Sequence, residues 1–66
     1  MDIYYLEINS IRIKSFSRFE LAFKYAKIYE NTDSLIKIFH EEYIDEFHGS
    51  ETSCRLYLVY TNEKII

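Results

Sequence analysis

The sequence predicts a small α+β domain: an antiparallel sheet with one helix packed on one face, in the order β(β)αββ, filling residues 1–66 as a single unit. Three observations predict it. Residues 3–8, IYYLEI, and 54–60, CRLYLVY, alternate with period two and are rich in aromatic and β-branched side chains. Residues 19–29 instead repeat apolar side chains at spacings of three and four, the period of a helix. The only glycine, Gly49, falls between the strand-like run 35–39, LIKIF, and the last strand, where an antiparallel hairpin needs its turn.

Along the first strand Tyr4, Leu6 and Ile8 share one side. The apolar phase then slips, because Ile11 and Ile13 are odd-numbered, so Asn9-Ser10 must be a turn or a bulge. Segment 11–15 is accordingly a short second strand or the first one continued, with Arg12 and Lys14 sharing a side. At the helix start, Ser17-Arg18-Phe19-Glu20 spells a capping box, with Phe16 and Leu21 placed for a hydrophobic staple. Phe19, Ala22, Phe23, Ala26 and Tyr29 form the apolar stripe, and Arg18, Lys24 and Lys27 lie opposite. Asn31-Thr32-Asp33-Ser34 should end the helix near Glu30 or Asn31, since all four side chains compete for backbone hydrogen bonds.

In the last strand Cys54, Leu56, Leu58 and Tyr60 fall on one side and form the expected core set. Tyr5, Lys37, Tyr57, Val59 and Thr61 fall on the other, a partly aromatic face that one helix cannot also cover. That face is a candidate contact surface or homodimer face. Residues 41–48, EEYIDEFH, alternate poorly, but a helix there would set Glu41 against Asp45 and Glu42 against Glu46, so an extended arm is expected. The closing Ile65-Ile66 is expected to fold back on the sheet.

Composition sets limits on function. The 66 residues are 48% apolar and 18% aromatic, with seven Tyr, five Phe and no Pro, which is not the composition of a disordered chain. Cys54 is the single cysteine, so no internal disulfide forms, and its apolar setting suggests a buried, inert thiol. No apolar run reaches the ~18 residues of a membrane span, and MDIYYLEI lacks the basic start of a signal peptide, which points to an intracellular chain without a membrane partner.

Net charge is −3, but its distribution is uneven. Between residues 41 and 51 five carboxylates, Glu41, Glu42, Asp45, Glu46 and Glu51, occur with no Lys or Arg. Tyr43, Ile44 and Phe47 are interleaved with them. Solubility alone does not require that interleaving; charges that steer and aromatics that anchor are what a docking surface uses. Spaced carboxylates can also imitate phosphates in the groove of a nucleic-acid enzyme. The candidate partner-binding residues are therefore Glu41, Glu42, Tyr43, Asp45, Glu46, Phe47 and Glu51.

Other chemistries have thinner support. The histidines and carboxylates lie in one short segment with no phosphate-binding glycine loop, so no catalytic residue is assigned and the chain is read as a non-enzyme without a cofactor. His40, Asp45 and His48 match no zinc spacing, so no metal site is assigned. Direct nucleic-acid binding is the alternative, through Arg12, Lys14, Lys24 and Lys27 with tyrosines to stack bases, against a pI near 5.2.

A short Ile/Tyr/Lys/Glu-rich chain with an N-terminal strand, the run SFSRFELAFKYAKIYEN at 15–31 and a closing hairpin resembles the small accessory proteins of bacteriophages and mobile elements, those of the anti-CRISPR type among them. The resemblance lies in element order and composition. It implies a non-catalytic inhibitor, acting in the bacterial host cytoplasm, that binds a host protein or complex stoichiometrically. The acidic block points that inhibitor toward nucleic-acid mimicry.

Overall fold

The computed structural model describes residues 2–45 and 52–64. It is an α+β fold of β1 (Asp2–Ile8), β2 (Ile11–Phe16), α1 (Phe19–Ala26), a 3₁₀ turn (Lys27–Tyr29), β3 (Ile36–Asp45) and β4 (Thr52–Thr61). All pairings are antiparallel, in the order β2-β1-β3-β4, and α1 packs on one face. The turn expected at Gly49, with all of residues 46–51, and the fold-back expected of Ile65-Ile66 lie outside the described residues.

Asn9 and Ser10 form a two-residue turn with φ of 51° and 69°, so 11–16 is a second strand. Two left-handed residues are what the twist of a tight hairpin asks for, and Asn meets that demand better than Ser. Asn9 also secures the next strand: its N–H donates to Leu35 O at 2.9 Å, and its Oδ1 accepts from Leu35 N at 2.9 Å. On the other flank Asn62 Oδ1 accepts from Ile36 N at 2.8 Å while Asn62 Nδ2 donates to Ser34 O at 2.9 Å. The start of β3 is thus held from both sides by asparagine side chains.

The helix begins one residue later than the capping box suggests. Arg18, extended at φ −137° and ψ 147°, is the N-cap, and no side chain caps it. The start is set instead by Phe19, whose ring meets Tyr4 edge-on at 6.2 Å. Ala22 and Ala26, one turn apart and buried, let the helix backbone lie close to Leu6, Ile8, Ile36 and Ile38. Phe23 and Tyr60 close one flank, with rings 5.1 Å apart, and Phe16 and Tyr25 the other, 5.6 Å apart. Thr32 ends the helical stretch, its N–H and hydroxyl both donating to Tyr29 O.

Two bulges redistribute side chains between the faces. In β2, Lys14 stands opposite Leu6 and Arg12 opposite Glu7, so Ile13 is the extra residue. Arg12 and Lys14 therefore lie on opposite faces, correcting the shared side expected from their spacing. In β4, Tyr60 stands opposite Ile38 but Leu58 opposite Phe39, so Val59 is extra. Tyr60 joins the core, whereas Leu56 and Leu58, expected there with it, are exposed on the face away from the helix. Tyr57, opposite His40, changes to the helix side, and Cys54 is exposed rather than buried.

The strained Ser10 gives a first test. Ser10→Gly removes a left-handed cost of about 1 kcal/mol and should raise the thermal midpoint by roughly 4–8 °C, read by circular dichroism.

Candidate interaction surface

The sheet face away from α1 is built around Arg12. The bulge at Ile13 aims this side chain across β1, where its Cζ lies 4.1 Å from the Tyr5 ring centroid and its Nη2 donates to Glu41 Oε2 at 3.0 Å and to Ser15 Oγ at 3.2 Å. Tyr5 stacks on Phe39 at 4.9 Å. The Tyr43 hydroxyl donates to Glu41 Oε1. Phe39, Tyr5, Arg12, Glu41 and Tyr43 thus form one continuous cluster over β2, β1 and β3. Under this cover Tyr5 is only 9% exposed, and Glu41 8%, although no helix lies on that side.

The cluster alters two titrations. Burial, helped by the Glu7 carboxylate, pushes the Tyr5 phenol above its ordinary 10.0. The hydrogen bond to Glu41 raises Tyr43, since a proton shared with a carboxylate is harder to remove.

The sequence-chosen docking residues separate into three groups. Glu41 is taken up by Arg12 and Tyr43 and belongs to the scaffold. Glu42 and Tyr43 are accessible, on opposite faces of β3, and Asp45 holds the last β3 position, paired with Thr52. Glu46, Phe47 and Glu51 lie outside the described residues. Segment 41–45 is extended strand, as expected for an arm. Among the described residues, pairing between β1 and β3 runs to Glu42, while β3 and β4 stay paired to Asp45 and Thr52.

The four basic candidates do not converge. Arg12 is bound to Glu41 on one face. Lys14 lies on the other, its Nζ 5.4 Å from the Tyr25 ring, and with Lys24 it rims a groove of about 490 Å³ floored by Phe16, Leu21, Tyr25 and Ile28. Lys27 sits elsewhere on the helix, 5.2 Å from the Phe23 ring. His40 stacks on Tyr4 at 4.7 Å and its Nε2 lies 3.2 Å from Asp2 Oδ1; His48 is outside the described residues. Among the described residues no three His, Cys, Asp or Glu side chains gather as a metal site, and no helix is long and apolar enough to cross a membrane.

Sequence reasoning missed two features of this surface. The Arg12–Glu41 pair joins residues 29 apart, and only the β2 bulge directs one at the other. The second is the exposed apolar set on β4, with Leu56 at 53% and Leu58 at 51%.

Fold and surface together define a small α+β protein with an asymmetrically covered sheet. No family model, curated protein or solved structure matches the chain.

Two outcomes test the cluster. Arg12→Ala should cost about 2 kcal/mol, roughly 10 °C in the thermal midpoint, by leaving Glu41 buried without its cation. Arg12→Met combined with Glu41→Leu should recover most of that loss, because no charge is then stranded. The raised tyrosines give a pH dependence: their contribution is fully present below about pH 10 and is lost as pH rises through the raised values. Tyr43→Phe should flatten the decline of melting temperature above pH 10, and tyrosinate absorbance in the parent should show a late-ionising fraction.

Proposed function

We propose that the chain is a non-catalytic interaction protein, a phage-type inhibitor that engages a bacterial nucleic-acid-handling protein or CRISPR effector complex through the acidic-aromatic end of the β3–β4 hairpin. One observation carries this reading. Among the described residues β3 and β4 remain paired to Asp45 and Thr52, three positions past Glu42, the last β3 residue paired with β1. Of the carboxylates of residues 41–51, Glu41 and Glu42 stand on the last β3 positions paired with β1 and Asp45 on the last position paired with β4, so the described part of the block leads up to the hairpin end, an arrangement suited to presenting charge to a groove.

Charge supports the choice of partner. Carboxylates leading up to the hairpin end steer toward a cationic groove, and Tyr43 adds an aromatic contact beside them. Glu41 contributes indirectly, as the anchor that Arg12 holds. The dispersal of Arg12, Lys14 and Lys27 over separate parts of the surface argues against a phosphate-binding stripe.

The test is a pull-down from bacterial lysate with and without nuclease, comparing the parent with a Glu42→Lys, Asp45→Lys, Glu46→Lys variant that spares Glu41. A stoichiometric, nuclease-resistant protein lost at least tenfold in the variant, whose circular dichroism is unchanged, is the expected result. Capture undiminished by the reversal, or recovery of nucleic acid alone, would overturn the reading.

A further inference from the structure

β4 has the sequence of an interior strand at an edge of the sheet. The order β2-β1-β3-β4 gives it one neighbour, yet Leu56, Tyr57, Leu58 and Val59 are apolar in succession and 53%, 43%, 51% and 42% exposed. Strands apolar at every position are ordinarily covered on both faces, whereas half-covered ones alternate. The exposed side chains also divide between faces: Leu56 and Leu58 stand opposite Glu41 and Phe39 on the face away from α1, and Tyr57 stands opposite His40 on the helix side. A partner stacked on either face would cover one set. A strand laid along the outer edge of β4 reaches both.

The opposite edge is different. β2 has six residues, is bulged at Ile13 and carries Arg12 and Lys14, the devices by which natural sheets discourage pairing. β4 has ten residues with Arg55 as its single charge, and its bulge lies late, at Val59.

We propose that β4 pairs antiparallel with β4 of a second copy about a two-fold axis, merging the two sheets into one of eight strands. This is independent of the hairpin-end docking above. Closure selects the occupant: pairing β4 with β4 leaves a blunted β2 at each outer end and stops at two copies, whereas β4 on β2 would leave a β4 open at every step and polymerise.

Charge fixes the register. An axis through Arg55 would set the two guanidinium groups against each other. An axis through Leu56 sets Leu56 against its own image, Arg55 against Tyr57 of the second copy and Cys54 against Leu58 of the second copy, and keeps the bulge at Val59 outside those five central positions.

Sedimentation across micromolar to millimolar concentration should give a dimer that dissociates on dilution. Leu56→Lys, at a half-exposed position, should be monomeric with parental circular dichroism. In a Cys54→Ser background, Leu56→Cys should oxidise to a linked dimer, since opposed Cα atoms in such a pair lie ~5.5 Å apart, within disulfide range, while Leu58→Cys should link at least tenfold more slowly. The cross-linking pair decides the matter even where Leu56→Lys fails to fold. A monomer at every concentration, a folded Leu56→Lys dimer, or faster linkage at position 58 than at 56 overturns the proposal, as does a foreign strand found on β4 in place of a second copy.

Discussion

Among the described residues, one helix of eight residues and a 3₁₀ turn are all the helical cover that four strands receive. Such a helix is about 12 Å long, whereas a ten-residue strand runs about 33 Å, so the cover reaches parts of β1, β2 and β3 and leaves most of β4 bare. The buried core is correspondingly narrow: Leu6 and Ile8 from β1, Ile36 and Ile38 from β3, with Ala22 and Ala26 above them. The small alanines let the helix come close, and closeness makes a short helix sufficient there. Large rings then fill the widening gap at its margins, Phe23 with Tyr60 on one flank and Phe16 with Tyr25 on the other. Beyond those rings the sheet has no helix, which is why β4 stays exposed.

On the far face an arginine does part of the work that a second helix would do. The planar guanidinium of Arg12 lies over the Tyr5 ring while its edge serves Glu41 and Ser15, a combination that a lysine ammonium cannot reproduce. Its side chain stays half exposed, so the ion is hydrated even as it shields the phenol and the carboxylate beneath it. Opposite charges 29 residues apart in sequence are consumed locally.

The elements themselves were legible because their periods are clean. IYYLEI alternates, the apolar stripe of 19–29 recurs at three and four, and the slip at Asn9-Ser10 is visible because polar residues interrupt the phase. The two bulges were not legible, for a specific reason. In LYLVY every position is apolar, so a one-residue slip at Val59 leaves no mark on the pattern, yet it brings Tyr57 onto the same face as Tyr60 and turns Leu56 and Leu58 away from it. Ile13, flanked by Arg12 and Lys14, hides its slip in the same way, because two cations look alike wherever they point. The candidate site inherited that blindness: Arg12 and Glu41 were assigned to separate surfaces although they bind each other. The capping box failed differently, since packing of Phe19 on Tyr4 outweighed a local hydrogen bond worth about 1 kcal/mol.

The seam between β1 and β3 has a consequence for how the chain reaches this state. β1 with β2, and β3 with β4, are hairpins between sequence neighbours, the kind of pairing that forms in roughly 1–10 μs. The seam joins them only across the helix and the polar turn after it, so its contacts demand loop closure before they return anything. Of the three pairings it therefore closes the longest loop and carries the largest entropic cost of assembling the sheet. Asn9, which binds Leu35 at the end of that seam, fastens it where the loop is shortest.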